Sequence, residues 1–322
     1  MAWLTSRGIR IILAAQVPAT FDAQVIAAFG RSLIVRGSDG VSQRARPPGR
    51  TRGRSLDIVC GDSVTCRRDA PTGEVHVTAL LPRATVLYRS TGRGGAESVA
   101  ANLDLLVVVL APLPQPDFFI ADRYLCAAAC AGLQAQIVLN KQDLQTDPDI
   151  DVELAAYVQL DYPVLRCETR SPNGSAALAA SLHGRTATLV GQSGVGKSSL
   201  IATLAIDADE IVTAQLARDD EGRHTTTAAR LYDCRGGGSL IDSPGVRDYA
   251  PAIDHLDPRS LGFLEVEALA PGCKFQDCRH MSEPRCAVRA AVDAGTMHAR
   301  RYESYRRLRR LYEELGAVRG PR

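Results

Sequence analysis

The clearest indication of the fold is the sequence TATLVGQSGVGKSSLIATLA, residues 186–205. Its first five residues are an apolar run that predicts a buried strand, and its last eight predict a helix. The glycine-rich loop between them matches a phosphate-binding loop, in which backbone N–H groups and the helix N-terminus surround phosphate oxygens. Lys197 is predicted to reach the β- and γ-phosphates, and Ser198 to hold Mg²⁺. The predicted nucleotide-binding residues of the loop are Gly191, Gly194, Val195, Gly196, Lys197, Ser198 and Ser199.

Apolar runs and helical segments alternate on the amino-terminal side of this loop. The run LLVVVLA begins at Leu105, QIVLN at Gln136 and PVLRC at Pro163, and a helix is predicted from about Phe118 to Ala131. Strands that are apolar throughout and alternate with helices predict a parallel sheet covered on both faces. The loop therefore belongs to an α/β domain and lies at the carboxyl edge of its sheet.

The tetrapeptide Asn140-Lys141-Gln142-Asp143 ends one of these predicted strands. Base-recognition groups lie at the carboxyl edge of a parallel sheet. The Asp143 carboxylate can accept two hydrogen bonds, from N1–H and the 2-amino group of guanine, which adenine does not offer in that geometry. Alone, the tetrapeptide would be read as an ordinary polar strand end. Beside a phosphate loop it predicts a guanine site formed by Asn140, Lys141 and Asp143.

Two segments that follow the loop have the features of nucleotide-dependent switches. In SLIDSPG, residues 239–245, a short strand ends in Asp242, which places a carboxylate near Mg²⁺ and the Gly245 N–H near the γ-phosphate. In RHTTT, residues 223–227, a hydroxyl can close over Mg²⁺ when a triphosphate is bound. Together with Lys197, Asp242 is therefore an expected catalytic residue.

The residue after the DSPG motif is Val246, which can neither donate nor accept a hydrogen bond. GTPases of the Ras type have a glutamine there, and it orients the attacking water. We expect His224, in the other switch, to position or deprotonate this water. The alternative is that His224 is a solvent-facing loop residue. Gly194 lies at the phosphate-loop position where cation-activated GTPases have an asparagine, so the sequence does not indicate activation by potassium.

The order of these motifs is unusual. An ordinary GTPase has the phosphate loop first and the guanine motif last, whereas here NKQD precedes the loop. Relocated chain ends can leave the strand neighbours of a sheet unchanged, so the order indicates a circular permutation. The DSPG switch then leads directly into the C-terminal region, and a nucleotide-dependent movement could pass into it.

Three cysteines and a histidine cluster near the C-terminus: Cys273, Cys278, His280 and Cys286. Three thiols and an imidazole form a closed tetrahedral ligand set suited to one structural zinc ion. The spacing is not that of a common zinc finger, and reduced thiols without a metal are the alternative. The remaining cysteines have no suitable partners nearby in sequence, and most are expected to be small core residues.

Composition excludes several protein classes. The 322 residues are 45% hydrophobic and 23% charged, which excludes a fibrous or disordered chain. The strongly apolar run over residues 105–110 is far shorter than the roughly 20 residues of a membrane helix. Gln16 and Pro18 interrupt the first apolar stretch, so no signal peptide is expected. We therefore expect a cytoplasmic protein with no membrane partner.

Charge is distributed unevenly along the chain. The net charge is +8 over residues 1–95, −12 over residues 96–270 and +6 over residues 271–322. Basic ends around an acidic centre suit a protein whose ends contact a polyanion, although charge drift on a solvated surface would give the same pattern. Short strands separated by turns between residues 31 and 91 predict a small β-barrel. Five arginines are expected in a Pro/Gly-rich barrel loop: Arg44, Arg46, Arg50, Arg52 and Arg54.

The last predicted element is an amphipathic helix from about Met297 to Leu315, capped by Gly316. One stripe of this helix is apolar or aromatic, and it contains Tyr302, Tyr305, Leu308, Tyr312 and Leu315. Six arginines of the helix are expected to face outward: Arg300, Arg301, Arg306, Arg307, Arg309 and Arg310.

From about residue 30 to residue 316 the sequence resembles the circularly permuted GTPases called ribosome small-subunit-dependent GTPase A, the RsgA or YjeQ family. The resemblance rests on GDSV, AANLD, DRYL, NKQDL, GQSGVGKSSL, GRHTTTAARLY, IDSPGVRDY and CKFQDCRHMSEPRCAV, in that order. It implies an N-terminal OB-fold, a permuted GTPase domain, a C-terminal zinc domain and a role in late maturation of the small ribosomal subunit. By match to the family motif, Thr226 is the switch threonine. The base-contacting segment near Cys167 to Thr169 departs from the family pattern, since it has no Ser-Ala pair.

Our interpretation is a GTPase with four parts: an N-terminal extension (1–30), an OB-fold (31–95), a permuted GTPase domain (96–250) and a helical zinc domain (251–322). We expect it to hydrolyse GTP with Mg²⁺ as a monomer and to bind ribosomal RNA through its basic ends. Alternatives are another P-loop ATPase or kinase, which NKQD disfavours, and an RNA-binding protein with a degenerate GTPase site, which Lys197, Ser198 and Asp242 disfavour. A nucleotide-dependent RNA-binding switch that does not act on the ribosome also remains open.

Overall fold

The computed structural model describes residues 20–29, 32–48, 57–91, 95–206, 229–247 and 249–319. Its strands are β1 (Thr20–Phe29), β2 (Ser32–Gly37), β3 (Ser42–Arg46), β4 (Ser63–Arg68), β5 (Val75–Leu80), β6 (Val86–Ser90), β7 (Ala96–Ala101), β8 (Leu105–Leu110), β9 (Gln134–Leu139), β10 (Val164–Arg166), β11 (Thr186–Val190), β12 (Ala229–Asp233) and β13 (Ser239–Asp242). Its α-helices are α1 (Phe118–Cys130), α2 (Pro148–Val158), α3 (Ala176–Ser181), α4 (Lys197–Leu204), α5 (Pro244–Arg247), α6 (Leu264–Leu269), α7 (Ala287–Asp293) and α8 (Ala299–Arg319). Two 3₁₀ helices span Ile253–His255 and Ala270–Gly272.

The first five strands form a closed barrel. Their order is β1-β2-β3-β5-β4, and β4 pairs back onto β1. Every pair is antiparallel except β3–β5. Alternate residues of β1 are buried: Ala23 and Val25 lie in the barrel core, and Ala27 is buried after a register shift that follows Val25. The predicted barrel is therefore present, and its first strand precedes the expected start at residue 31. Alanine at two of the three buried positions weakens the apolar alternation that predicts a strand.

The prediction of an arginine-rich loop is wrong for Arg44 and Arg46. Both lie on β3, where Ala45 between them is buried in the barrel. The Arg44 Nε donates a hydrogen bond to Ser32 Oγ at 2.7 Å. Charged residues can alternate with a buried alanine on a strand, because successive side chains point to opposite faces. The other three, Arg50, Arg52 and Arg54, lie outside the described residues.

The second part of the chain forms the predicted α/β domain. Its strand order is β10-β9-β8-β11-β13-β12, and all neighbours are parallel except β12 and β13. All six residues of β8 are buried. Its even-numbered residues pack with the core that contains α1, and its odd-numbered residues pack with the core that contains α4. The expected sheet covered on both faces is thus confirmed, with one antiparallel edge.

The barrel and the α/β domain share one continuous sheet. Ala27 and Ala28 of β1 pair with Arg230 and Ala229 of β12. A tight turn of the barrel also packs against the start of the α/β domain. We call this second contact, formed by Gly61, Asp62, Arg83, Ala101 and Asn102, the barrel joint.

Backbone contacts dominate the barrel joint. A Cβ on Gly61 would lie 2.1 Å from the carbonyl oxygen of Ala101, and Asn102 Nδ2 donates to Gly61 O at 3.0 Å. The fully buried Asp62 carboxylate accepts two hydrogen bonds from Arg83, at 2.7 and 2.8 Å. The GDSV and AANLD motifs are explained by this joint, since each supplies residues to it.

The C-terminal helix α8 docks on the α/β domain through buried charges. Arg301 is 1% exposed, donates to both carboxylate oxygens of Glu265 at 2.7 and 2.8 Å, and donates to Asp122 at 2.6 Å. Arg300 donates to the other Asp122 oxygen at 2.5 Å. Tyr157 donates to Asp122 at 2.6 Å. We call this cluster, formed by Asp122, Tyr157, Glu265, Arg300 and Arg301, the helix joint.

The expectation that all six arginines of α8 face outward is wrong for three of them. Arg300 and Arg301 belong to the helix joint. Arg309 is 4% exposed and donates to the carbonyl oxygens of Pro258 and Arg259 at 2.7 and 2.8 Å. Arginine is buried here because each guanidinium meets several fixed acceptors. The aromatic stripe packs on the core as expected, but the helix continues past Gly316 to Arg319.

Among the described residues, none of the helices is both long and apolar enough to span a membrane.

Candidate nucleotide site and metal centre

The phosphate loop joins β11 to α4, as predicted. Gly191, Gly194 and Gly196 all have positive φ, and a Cβ on Gly191 would lie 2.2 Å from the carbonyl oxygen of Val109. Glycine is required there because a side chain would collide with the neighbouring strand. The Lys197 Nζ donates to the carbonyl oxygens of Gly191 and Gln192 at 2.7 and 2.8 Å. Its ammonium group is thus held within the loop that would surround the phosphates.

A hydrogen bond connects the guanine motif directly to the phosphate loop. Asn140 Nδ2 donates to Val195 O at 3.0 Å, and a Cβ on Gly196 would lie 2.4 Å from that Nδ2 atom. Asn140 is 1% exposed, and within the described chain its Oδ1 has no hydrogen-bond partner. The structure therefore brings together two motifs that stand about 50 residues apart in sequence.

Lys141 and Asp143 lie at the open side of the same site. Lys141 has φ of 58°, and its Nζ donates to Leu113 O at 2.8 Å. The Asp143 carboxylate is 25% exposed, and Arg170 contacts it at 3.1 Å. The Arg170 side chain is 82% exposed, so this ion pair contributes little to stability. Asp143 remains accessible to a bound base.

The segment after β10 lies beside the guanine motif, where a base-contacting segment is expected. Cys167 O accepts from Gln142 N–H at 3.2 Å, and Cys167 N–H donates to Leu139 O at 2.9 Å. Glu168 N–H donates to Gly174 O at 2.9 Å, which closes a compact loop. Burial raises the pKa of Cys167 to about 11, so this thiol stays neutral. This segment, which has no Ser-Ala pair, therefore lies beside the guanine motif.

The DSPG motif ends β13, which is parallel to β11. Asp242 therefore lies at the same edge of the sheet as the phosphate loop, and it is 7% exposed. Gly245 packs against β7, since a Cβ there would lie 2.7 Å from Val99 Cγ1. Val246 is 2% exposed and belongs to the core, so it is unavailable to a water molecule. His224 and Thr226 lie outside the described residues.

The four predicted metal ligands converge. One ligand atom from each of Cys273, Cys278, His280 and Cys286 lies within 4.8 Å of all the others. His280 Nδ1 is 3.5 Å from Cys273 Sγ and 3.4 Å from Cys286 Sγ, and the two sulfurs are 3.9 Å apart. A tetrahedron with metal–sulfur bonds of about 2.3 Å has edges of about 3.8 Å. These side chains can hold a metal ion with little rearrangement.

The chemistry of the cluster also suits a cation. Burial and the adjacent thiols raise the pKa of Cys278 to about 12, and burial lowers the pKa of His280. Thiolates packed this closely need a positive charge to ionise together. Two backbone N–H groups already point at the sulfurs: Ala287 N–H donates to Cys273 Sγ at 3.3 Å, and Arg289 N–H donates to Cys286 Sγ at 3.5 Å.

Comparison with known proteins agrees with this arrangement. The model of a family described as RsgA GTPase matches residues 80–251. The protein named small ribosomal subunit biogenesis GTPase RsgA in Azotobacter vinelandii is 41% identical over 287 residues, 88% of this chain and 83% of the relative. Its namesake in Chromohalobacter salexigens is 42% identical over 289 residues, 88% of this chain and 84% of the relative. This chain belongs to the RsgA GTPase family.

Solved structures support the same RsgA fold over most of the chain. The crystal structure of YjeQ from Thermotoga maritima superposes with a TM-score of 0.70 at 27% identity, over 94% of this chain and all of that chain. The structure of YloQ, described as a circularly permuted GTPase, has the same TM-score at 22% identity, over 94% of this chain and 97% of that chain. It shares the fold.

Two contacts at this RsgA nucleotide site were not foreseen from sequence. Arg170 pairs with Asp143, and the side chain of Gln192 contacts the backbone near the start of α1. No periodicity or spacing connects Gln192 with residues 75 positions earlier. The position of Gln192 inside the phosphate loop was the available signal, but variable positions of that motif carry no assigned contact.

Proposed function

We propose that this protein binds GTP with Mg²⁺ between the phosphate loop and the guanine motif, and hydrolyses it to GDP and phosphate during late maturation of the small ribosomal subunit. The observation that carries the proposal is the hydrogen bond from Asn140 to Val195 at 3.0 Å. It fixes a base-reading motif beside a phosphate-binding loop despite the permuted chain order. Membership of the RsgA GTPase family supports both the reaction and the ribosomal role.

Each motif has a separate role in this proposal. The backbone of residues 191–199 binds the phosphates, and Lys197 neutralises charge that develops on them. Asp143 selects guanine, while Asn140 and Lys141 hold the base site against the loop. Ser198 and Thr226 would be the ligands for Mg²⁺, with Asp242 as a nearby carboxylate for the ion, which would supply charge neutralisation to the phosphates when bound.

His224 is the proposed residue for the attacking water. Val246 is buried and apolar, so the position that follows the glycine of DSPG has no side chain that could hydrogen-bond the attacking water. A neutral imidazole can accept a proton or orient a water molecule near neutral pH. We expect slow intrinsic hydrolysis that becomes fast when the protein binds the small subunit and His224 acts on the attacking water.

The Cys/His cluster is proposed to hold one zinc ion with a structural role. Three thiols and an imidazole fill a tetrahedral shell and leave no open position for a substrate. The hydroxyl of Tyr302 donates to His280 O at 2.7 Å, and that of Tyr305 donates to Arg279 O at 2.9 Å. Zinc would therefore stabilise the loop on which α8 packs.

The basic ends of the chain are proposed to contact ribosomal RNA in the cytoplasm, with the protein acting as a monomer. Exposed arginines of α8, including Arg307 and Arg310, and the arginines of β3 are available for phosphate contacts. The acidic centre, with a net charge of −12 over residues 96–270, is expected to avoid RNA. Binding should therefore weaken steeply as salt rises.

Single-turnover GTP hydrolysis, with and without purified small subunits, tests the proposal. The wild type should be strongly stimulated and should not use ATP. His224→Ala should lose most of the stimulation with GTP affinity nearly unchanged, whereas Lys197→Ala should lose nucleotide binding. Equal stimulated rates in His224→Ala and wild type would remove His224 from the mechanism. An absence of stimulation in the wild type would favour an RNA-binding switch that does not act on the ribosome.

A further inference from the structure

Gln192 lies in the phosphate loop, but its side chain contacts a distant part of the chain. Its Oε1 accepts a hydrogen bond from Asp117 N–H at 2.9 Å, and its Nε2 donates to Gln115 O at 3.4 Å. Its own carbonyl oxygen accepts from Lys197 Nζ at 2.8 Å. One residue therefore connects the phosphate-binding lysine with the backbone just before α1.

The backbone that Gln192 contacts is part of a segment, residues 113–117, that we call the strap. The strap also contacts the guanine motif, because Lys141 Nζ donates to Leu113 O at 2.8 Å. A Cβ on Gly194 would lie 3.6 Å from Pro114, in van der Waals contact. The strap thus lies against both halves of the nucleotide site.

The strap continues directly into the contact with α8. Asp117 caps α1 by accepting from Ile120 N–H at 3.1 Å. The guanidinium of Arg300 lies 5.2 Å from the ring centre of Phe118, the first residue of α1. Arg300 and Arg307 of α8 also line a cavity of about 400 Å³ with residues 115–119. Asp117, whose N–H donates to Gln192, is therefore adjacent in sequence to Phe118, which packs on α8.

We propose that Gln192 is a positioning residue through which the docking of α8 stabilises the nucleotide-binding form of the phosphate loop. This inference rests on the proposed function. Because Arg300 packs against Phe118, the Asp117 N–H is held in position to donate a hydrogen bond to the Gln192 side chain. The backbone carbonyl of Gln192 in turn holds the Lys197 ammonium group in the loop. A preorganised loop has less to order when a nucleotide binds. Displacement of α8 would loosen the strap and speed nucleotide release.

The test is the release rate of a fluorescent GDP analogue from the full-length protein, chased with excess GDP. Gln192→Met has similar length and no amide, and it should speed release about tenfold, because it leaves the Asp117 N–H without an acceptor. Gln192→Glu keeps that acceptor and should return release to within about threefold of wild type. Rescue by Glu separates positioning from a general loss of packing. Equal rates for Met and wild type would overturn the proposal.

The coupling to α8 is tested by Arg300→Met, alone and combined with Gln192→Met. Arg300→Met should speed release about threefold in the wild-type background and have no further effect beside Gln192→Met. Rates that simply multiply would show that Gln192 does not carry the effect of α8. Hydrogen exchange at the Asp117 amide needs no loop variant: GDP should slow it in wild type, and Arg300→Met should speed it. If wild type itself fails to bind the analogue, the proposed function fails instead.

Discussion

The α/β domain is attached to its two neighbours by different kinds of contact. The barrel is attached through the paired strands β1 and β12 and through the barrel joint, which consists of backbone hydrogen bonds, a glycine packed on a carbonyl and one buried ion pair. The helix joint consists of side-chain charges: Asp122 of the α/β domain and Glu265 of α6 face Arg300 and Arg301. The facing carboxylates raise the pKa of Arg301 well above its usual value although its burial opposes this. It stays charged.

The difference indicates how each joint can respond. A backbone joint has a fixed register and changes only by breaking pairs of hydrogen bonds. A charge joint depends on every partner being present, since one missing partner leaves a buried charge uncompensated. We therefore expect the barrel to stay attached under conditions that release α8.

Metal removal should have the largest effect on stability, and it should destabilise the C-terminal domain but not the barrel. The loop that carries the Cys/His cluster holds α8 through the hydroxyls of Tyr302 and Tyr305, so chelation of the proposed zinc ion should remove several kcal/mol from the C-terminal domain. Hydrogen exchange should speed up in α7 and α8 while the barrel strands stay protected.

Metal analysis provides the control for that experiment. Wild type should contain one zinc ion per chain, and Cys278→Ala should lose it. Less than half an equivalent in wild type, or unchanged zinc in the variant, would contradict the assignment. Equal loosening of the barrel would contradict the distinction between the joints.

The substitution Asp122→Ala should destabilise the helix joint by about 3–5 kcal/mol, because it leaves Arg301 buried without one of its two carboxylates. Urea unfolding of the full-length protein measures this change. The matched control is Glu303→Gln, which breaks exposed pairs with Arg306 and Arg307 on the same helix and should cost less than about 0.5 kcal/mol. Similar costs for the two variants would show that burial of the cluster has no energetic consequence.

The substitution Gly61→Ala should destabilise the barrel joint by more than about 2 kcal/mol. Gly61 has φ of 93°, and the new Cβ would meet the Ala101 carbonyl oxygen at 2.1 Å. Gly73→Ala is the control, because Gly73 also has positive φ but nothing lies within 4 Å of its Cβ position. It should cost about 1 kcal/mol through backbone strain alone. If thermal unfolding showed the two to be equal, the close approach at Gly61 would be unimportant.

The smallest expected effect concerns pH. Burial opposes ionisation of Glu283, but backbone N–H groups around its carboxylate, including those of Arg279 and Met281, lower its pKa to about 2. Its stabilising contribution is therefore present above the unfolded pKa near 4.3 and disappears as pH falls toward 2. The difference in unfolding midpoint between wild type and Glu283→Gln should be constant near pH 6 and shrink below pH 4. A difference as large at pH 2.5 as at pH 6 would mean that the carboxylate charge is irrelevant.

Much of the fold could be predicted from sequence, because its signals are local. The apolar run of β8, the phosphate loop and the stripe on α8 each follow a periodicity or spacing that a short window contains. The barrel strand β1 was missed because alanines carry its buried face. The burial of Arg301 and Arg309 was missed for another reason: their partners come from residues far away in sequence.

The candidate site also has contacts that the sequence predicts and contacts that it does not. The four predicted metal ligands lie within fourteen residues, so their convergence follows from spacing. The meeting of Asn140 with Val195 follows from strand order, which the motifs imply together. The contacts of Gln192 and Arg170 follow from neither, because they depend on how loops from different strands are placed.

The most direct test of guanine recognition at this site is the nucleotide selectivity of Asp143→Asn. This change exchanges an acceptor for a donor facing the base, so GTP binding should weaken while xanthosine triphosphate, with a carbonyl in place of the 2-amino group, should bind more tightly. Unpaired buried polar groups cost about 1–3 kcal/mol each, so the ratio of the two affinities should change more than tenfold. Equal weakening of both nucleotides would contradict a guanine site at Asp143 and leave that residue a structural role only.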